Sequence, residues 1–363
     1  MSKLHDLYDQ QGQSPWLDNM RRGWITGGDL ARWVERGVRG ITSNPTIFQK
    51  AIAAGEDYDT EFGELIADGA SIDDAYWTLV TSDIEDALRI LRPVHDASGG
   101  VDGYVSVEVA PDLARDRDGT VASARELHAR IDEPNLFVKV PATAEGVEAI
   151  RTLVGEGHSI NVTLIFGLDR YADVMEAYIA GLEAYDGDLS QVASVASFFV
   201  SRVDTEVDQR LEAIGTDAAL ALRGKAAVAQ AQVAYSRFLA TFTGPRWEAL
   251  AARGAKVQRP LWASTSTKNP DYVDTLYVDT LIGPDTVNTM PEATLDAFDD
   301  HGTLARTVDA DPASAEQTLA AIGEVGVDLD DVSRVLEEQG VSSFAKSFDE
   351  LITALETKAE ALR

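Results

Sequence analysis

Lys139 lies inside Asn135-Leu136-Phe137-Val138-Lys139-Val140-Pro141, and its setting restricts the available chemistry more than that of any other residue. The run reads as a short strand, bounded by Pro134 before it and by Pro141-Ala142-Thr143 after it. Phe137, Lys139 and Pro141 fall on one face, and Leu136, Val138 and Val140 on the other. A parallel strand is usually buried on both faces, and burial disfavours an ammonium relative to the neutral amine. A neutral amine attacks carbonyl carbon, so the segment points to Schiff-base chemistry. The alternative is an edge strand whose lysine packs its stem and keeps its head in water.

Polar residues also stand at the ends of the other strand-like runs. Run 104–109 places Ser106 and Glu108 on one face, where a carboxylate is costly to bury without a partner. Run 159–166 does the same with Asn161 and Thr163, and run 192–200 presents Ser197 and Phe199, followed by Arg202. The first run ends in Asp18, the second in Thr42-Ser43-Asn44, and the seventh in Ala263-Ser264. Each has an ordinary explanation when taken singly: Asp18 and Asn44 as helix caps, Ser197 and Ser264 as small core fillers, Glu108 as an edge charge. Gathered around one interior lysine, they describe an active site. An iminium on Lys139 is an electron sink for breaking the neighbouring carbon–carbon bond. Asp18 or Glu108 could take the proton from the hydroxyl beside that bond. Asn44, Asn161 and Ser197 suit the hydroxyls of a polyol, and Arg202 suits a phosphate.

The elements that must position these residues alternate between strand and helix. Strands are expected at 15–18, 38–42, 104–109, 135–140, 159–166, 192–200, 259–264 and 287–290. Helices are expected at 29–37, with Asp29 as N-cap, and over 58–95, with a capping box at Ser71 and Asp74. Others follow at 122–131, 146–154, 169–185, across most of 204–254, and at 272–281. From Pro312 onward the pattern is helical to the end, with turns near Gly326 and Gly340. Tyr272-Val-Asp-Thr-Leu276 repeats directly as Tyr277-Val-Asp-Thr-Leu281, a period of five that matches neither helix nor strand. Eight strands with helical crossovers predict an α/β fold, a (β/α)₈ TIM barrel. It would be one domain spanning 1–363, with helices added after the second strand, at about 58–95, and at the C-terminus, at about 312–363. A doubly wound sheet is the competitor, but no glycine fingerprint follows an early strand.

Composition bounds the partners. The chain has 363 residues, 45% of them hydrophobic, enough for a large core. Its 31 basic and 61 acidic residues give a net charge of -30, a field that repels nucleic acid and anionic membranes. With no cysteine there are no disulfides or thiolate chemistry. His5, His95, His128, His158 and His301 are scattered, with no pair at metal-ligand spacing. No apolar core of a secretion signal follows Met1, and no run reaches the length of a membrane span, so a cytoplasmic location is expected.

The residues of the candidate site, in this order, resemble transaldolase. The carrying motifs are Gly40-Ile-Thr-Ser-Asn-Pro-Thr46, Val105-Ser-Val-Glu108, Phe137-Val-Lys-Val-Pro141, Ile160-Asn-Val-Thr-Leu164, Ser197-Phe-Phe-Val-Ser-Arg202 and Leu261-Trp-Ala-Ser-Thr265. The length and the run Ser264-Thr-Ser-Thr-Lys-Asn-Pro270 look most like the longer bacterial branch of that family. The resemblance implies a class I aldolase fold that needs no metal or organic cofactor. It implies transfer of a dihydroxyacetone unit from sedoheptulose 7-phosphate to glyceraldehyde 3-phosphate in the pentose phosphate pathway. By position, Lys139 would form the Schiff base and Asp18 would be the acid/base at the hydroxyl that loses its proton. Glu108, through a water held by Thr163, would relay protons during imine formation. Asn44, Asn161 and Ser197 would hold donor hydroxyls, with Thr42 and Phe199 beside them. The expected partners are small sugar phosphates bound by a monomer or homodimer, with no nucleic acid and no membrane.

Two positions depart from the family pattern. Phe198 stands where many members have proline, and the arginine that usually lies just past the strand-seven serine is missing from Ser264-Thr265-Ser266-Thr267-Lys268. Lys268, assisted by Ser264, is the candidate for the second phosphate cation beside Arg202. The nearest rival is a fructose 6-phosphate aldolase, which would cleave where transaldolase transfers. A sugar-binding protein without catalysis would not need the interior lysine.

Overall fold

Strand-length apolar runs separated by crossover helices pair in parallel, because a hairpin cannot join them. Seven do so in this computed structural model, which describes residues 2–54 and 56–362. They are β1 (Gln13–Leu17), β2 (Val105–Glu108), β3 (Leu136–Pro141), β4 (Ile160–Ile165), β5 (Ser194–Phe199), β6 (Arg259–Ala263) and β7 (Thr286–Met290). The order β1-β7-β6-β5-β4-β3-β2 makes one curled parallel sheet, and every strand residue is buried. All strands run the same way, so their C-terminal ends share one rim.

The strand expected at 38–42 is reduced to a bridge. Ile41 alone pairs in parallel with both Leu17 and Val105, the outer strands of the sheet. Leu17 N–H donates to Gly40 O and Thr42 N–H to Leu17 O, each at 2.9 Å, while Ile41 N–H donates to Tyr104 O at 2.9 Å. Gly40 explains why this segment reads weakly. A Cβ there would lie 2.3 Å from the Trp16 ring, so the backbone can pass only as glycine. Trp16 stacks on Phe137 (6.2 Å between centroids), and Phe137 on Tyr104 (4.0 Å).

Below these rings, on the side of the strand starts, a buried carboxylate ties the sheet edges together. Asp102 accepts from Ser14 Oγ at 2.7 Å, Trp16 Nε1 at 3.0 Å, Arg39 Nε at 2.8 Å and Arg259 Nη2 at 3.0 Å. Burial acts to raise its pKa, but Arg259, Arg39 and the hydrogen bonds outweigh burial and hold it below the usual range. These groups come from β1, the bridging segment, the approach to β2 and the start of β6.

The helices follow the sequence pattern with particular differences. Ser71 caps Ile72–Ala97 by accepting from Asp74 N–H at 3.1 Å, as expected. Asp29 is not a cap: Gly28, at φ 79°, occupies that position for Asp29–Glu35. The helix expected at 272–281 shrinks to Leu276–Asp279. No turn forms at Gly340, which lies within the unbroken helix Leu329–Leu362 and against β4, where a Cβ would sit 3.0 Å from Leu164 Cδ2. Glycine is kept there for close packing and not for a turn. Phe198 is buried on the outer face of β5, edge-on to Trp262 and Tyr171. Among the described residues no helix is long and apolar enough to cross a membrane.

Overpacking a tight core position costs about 1–3 kcal/mol. Gly40→Ala is therefore expected to lower the urea midpoint by that amount of stability, with the m-value unchanged. A midpoint equal to that of the parent would show that Trp16 does not pack over this backbone.

Candidate active site

The strand-end rim opens into a cavity of about 550 Å³. Lys139 reaches it from β3 with only 4% of its surface exposed. Its Nζ donates to Ser43 O at 2.9 Å and lies 3.3 Å from Glu108 Oε2. The register explains the pairing, since Glu108 on β2 is directly opposite Lys139 and Lys139 is opposite Asn161 on β4. Lys139 is thus an interior lysine beside a buried carboxylate, and the edge-strand alternative fails.

Asp18 follows β1 into the same cavity, where its Oδ1 accepts from Thr42 Oγ1 at 2.8 Å. Thr42 Oγ1 also lies 2.7 Å from Thr289 Oγ1. Burial raises the pKa of Asp18, opposed by Lys139, the Thr42 hydrogen bond and Lys268, while Glu292 adds to the rise. Glu108 is raised too, first by burial and then by Asp18, with Lys139 pulling it down. Two carboxyls with raised pKa flank one amine, a setting suited to proton transfer.

Thr163, Ser197, Phe199, Asn44 and Ser264 line the cavity as expected, together with Arg202 and Lys268. Glu108 and Asn161 do not line it and lie beneath its surface. Asn161 is fully buried, donating from Nδ2 to Ser106 Oγ at 3.0 Å and accepting at Oδ1 from Ser197 Oγ at 2.7 Å. Thr163 Oγ1 is buried without a hydrogen-bond partner among the described residues, and Glu108 Oε2 has only Lys139 Nζ at 3.3 Å. Asn44 serves a second role, since its Oδ1 accepts from Ile47 N–H at 3.0 Å at the start of the helix Pro45–Ala54.

Two strand ends at the site carry backbone strain. Leu164 has φ 60° and Ser264 φ 56°, values that L residues other than asparagine and aspartate rarely adopt. The Leu164 turn coincides with the register break between Val162 and Ile165, and it carries the chain from Thr163 past Ala142, whose N–H donates to Thr163 O at 2.7 Å. Ser264 is held by Ser201, whose N–H donates to Ser264 O at 3.0 Å and whose Oγ lies 2.9 Å from Ser264 Oγ.

The mouth is basic in a strongly acidic chain. Arg202, Lys268, Lys50 and Arg21 all line it. Among the described residues, Arg202 makes no ion pair or hydrogen bond and stands 5.3 Å from the Phe199 ring, while Lys268 Nζ donates to Ser266 Oγ at 2.7 Å. Burial lowers the pKa of Lys268, with Arg202 and Lys50 adding to the fall and Asp18 opposing it. Crowded, poorly hydrated cations of this kind fit an incoming anion.

Sequence reasoning missed Arg21, Lys50, Glu292 and the wall supplied by the last helix. Ser343 and Phe344 of Leu329–Leu362 line the cavity, and Ser347 Oγ lies 2.8 Å from Thr46 Oγ1. A proline just after Asn44 signalled a helix start, and Lys50 lies little more than one turn along it. Nothing local in the sequence ties residue 344 to Lys139.

Comparison with known proteins agrees with this geometry. The family described as Transaldolase/Fructose-6-phosphate aldolase matches residues 15–355. A transaldolase of Parafrankia sp. is 53% identical, covering 98% of each chain. Those of Thermobifida fusca and Mycolicibacterium smegmatis are 51% and 49% identical, each covering 97% of this chain and 96% of its own. With Lys139 buried between two carboxyls at the rim of a parallel sheet, the chain belongs to the transaldolase/fructose-6-phosphate aldolase family.

Proposed function

We propose that the chain acts as a transaldolase, moving a dihydroxyacetone unit from sedoheptulose 7-phosphate to D-glyceraldehyde 3-phosphate. The products are erythrose 4-phosphate and fructose 6-phosphate, in the non-oxidative pentose phosphate pathway. The observation that carries this reading is Lys139, buried beside Glu108 in a cavity that also holds Asp18 and a basic mouth. The roughly 50% identity to named transaldolases favours transfer over simple cleavage. So does the enclosure by Phe344 and the helix Pro45–Ala54, which shields a bound intermediate from water.

Lys139 Nζ attacks the ketone carbon, and the carbinolamine loses water to give an iminium. Glu108 moves protons in this step through a water held by Thr163, and the unpartnered Thr163 Oγ1 suits that role. Asp18 takes the proton of the hydroxyl on the β carbon as the bond between the α and β carbons breaks. The aldehyde leaves and the electron pair passes into the iminium as an enamine. The enamine attacks the acceptor's carbonyl, Asp18 returns the proton, and hydrolysis frees Lys139. Ser197, Asn44 and Asn161 hold the donor hydroxyls, while Arg202 and Lys268 hold the phosphate.

The sheet is read as a (β/α)₈ barrel of one domain, with the segment around Ile41 as its eighth staves' remnant and the helices from residue 59 to 97 and after 312 as additions. The net charge of -30 opposes nucleic acid and anionic membranes as partners, and a sugar phosphate is admitted against it by the basic mouth; the protein is read as a cytoplasmic monomer or homodimer.

Borohydride reduction in the presence of fructose 6-phosphate is expected to fix one dihydroxyacetone unit on Lys139, read by peptide mapping. A label on any other lysine would remove the central assignment. Asp18→Asn should still trap the full-length ketose imine yet release no aldehyde, whereas Glu108→Gln should slow trapping itself. Matching defects in the two would mean that the roles are divided wrongly.

Asp18 must be ionised to accept the hydroxyl proton, so kcat falls as pH drops through its pKa. Burial and Glu292 raise that pKa, which places the acid limb above the ordinary carboxylate range. Glu292→Gln removes a repelling charge and should move the limb to lower pH, measured as the pH profile of kcat. A limb that stays put or rises contradicts the assignment of Asp18.

A charge-assisted hydrogen bond contributes about 1.5–3 kcal/mol, so Arg202→Ala should lower kcat/KM for fructose 6-phosphate roughly ten- to a hundredfold. Lys268→Ala should lose less, with unphosphorylated dihydroxyacetone barely affected by either. Equal losses for both kinds of donor would make these residues structural.

A further inference from the structure

The tandem Tyr272-Val-Asp-Thr-Leu276 and Tyr277-Val-Asp-Thr-Leu281 has a structural explanation outside the reacting centre. The helix Ser201–Ile214, which carries Arg202 in its first turn, also presents Asp204 and Asp208, one helical turn apart. Tyr277 Oη donates to Asp204 Oδ2 at 2.7 Å, and Tyr272 Oη donates to Asp208 Oδ2 at 2.5 Å. Two tyrosines five apart, the second inside the short helix Leu276–Asp279, thus meet two carboxylates four apart on a helix. The other oxygens accept backbone N–H groups, Ala227 to Asp204 at 2.8 Å and Gly224 to Asp208 at 2.9 Å. Gly224, at φ 68°, leaves room for the Tyr272 ring, which a Cβ would approach to 2.7 Å.

Neither aspartate makes an ion pair among the described residues, although both are buried. Such carboxylates are costly to bury, and they lie on the helix that carries Arg202. What they hold explains the arrangement. The chain between β6 and Tyr272 carries Ser264, Ser266 and Lys268 into the cavity. Its near end is pinned at Ser264 to Ser201 and at Thr265, whose Oγ1 donates to Asn288 Oδ1 at 2.9 Å and Thr289 O at 3.0 Å. Among the described residues the stretch 266–271 then has only local bonds, from Lys268 to Ser266, from Asp271 N–H to Asn269 Oδ1 and from Tyr272 N–H to Asn269 O. The Tyr272–Asp208 bond is its far pin, and it fastens the loop to the helix that bears Arg202.

We propose that Tyr272, through Asp208, is a positioning residue for the phosphate end of the site, setting the loop so that Lys268 stands beside Arg202. This rests on the reading of Arg202 and Lys268 as phosphate ligands. Tyr277 and Asp204, more deeply buried, fix the second rung to which the first is aligned. Tyr272 touches neither substrate nor reacting atoms.

The test measures KM and kcat for fructose 6-phosphate with erythrose 4-phosphate as acceptor, and competitive inhibition by inorganic phosphate. Tyr272→Phe keeps the ring and loses one hydroxyl. It is expected to raise KM and the phosphate inhibition constant about five- to tenfold with kcat within about twofold. Asp208→Asn, which can still bond the hydroxyl, should stay near the parent, and Asp208→Ala should match Tyr272→Phe. Tyr272→Phe combined with Lys268→Ala should lose no more than Lys268→Ala alone, because the one acts through the other. Additive losses, or unchanged KM and phosphate inhibition in Tyr272→Phe, would overturn the proposal while leaving the phosphate assignment standing. If Lys268→Ala itself leaves phosphate inhibition unchanged, the phosphate reading of Lys268 falls and takes the proposal with it. A lowered melting temperature with unchanged KM would assign the bond to stability alone and likewise overturn it.

Discussion

The Asp102 ion cluster sits under every functional feature of this protein. A parallel sheet of seven strands has two edges, and here the segment between them contributes a single bridging residue, Ile41. Backbone bonds from residues 39–42 hold that seam on both sides, among them Arg39 N–H to Pro15 O at 2.9 Å and Ser106 N–H to Ile41 O at 3.1 Å. Asp102 reinforces them by joining β1, the bridging segment and β6 through two arginines, a serine and an indole. Such a cluster is stable only while complete, since removing one partner from a buried ion pair typically costs about 3–5 kcal/mol. Trp16 carries that order upward: it bonds Asp102 below and stacks on Phe137, two residues before Lys139 on the same face of β3. The position of the lysine therefore depends on charges near the opposite end of the strands.

The upper half of the sheet obeys a different electrostatic rule. Beneath the rings the charges are matched and saturated, whereas around Lys139 they are left partly unmatched. Thr163 Oγ1 lacks a hydrogen-bond partner, Glu108 Oε2 has only the Lys139 ammonium at 3.3 Å, and Arg202 has no acidic partner among the described residues despite the large acidic excess. The cost appears as carboxyls with raised pKa, cations with lowered pKa and two residues at positive φ. Strain and unpaired polar groups collect where substrate is to supply the missing partners.

Much of this was legible in the sequence. Alternation within each apolar run identifies the inward faces and places Lys139, Glu108, Asn161, Thr163 and Ser197 in the interior. The depth of each residue was not legible: Glu108 and Asn161 lie below the cavity because inter-strand stagger, which no single run encodes, decides the layer. The strand expected at 38–42 bonds through its backbone to both neighbours but narrows to one bridging residue, Ile41, where Gly40 passes against Trp16. The helix at 272–281 failed for a similar reason, since Tyr272 and Tyr277 are held by aspartates some seventy residues earlier. Gly340 looked like a turn but is a packing contact with β4. In each case a distant partner overrode a local preference.

The last helix has a consequence for biosynthesis. Phe344, which walls the cavity, lies near the C-terminus, and the bond between Thr46 and Ser347 joins positions 301 residues apart. On a ribosome, Lys139 and the first strands emerge long before that wall, and the sheet itself is complete only with β7. A nascent chain carries its nucleophile for most of its synthesis without the enclosure that would let it hold a reactive intermediate. Competence thus waits on the residues around Phe344, made long after Lys139, and a stop between β7 and Phe344 would leave a molecule with an intact lysine and an open site.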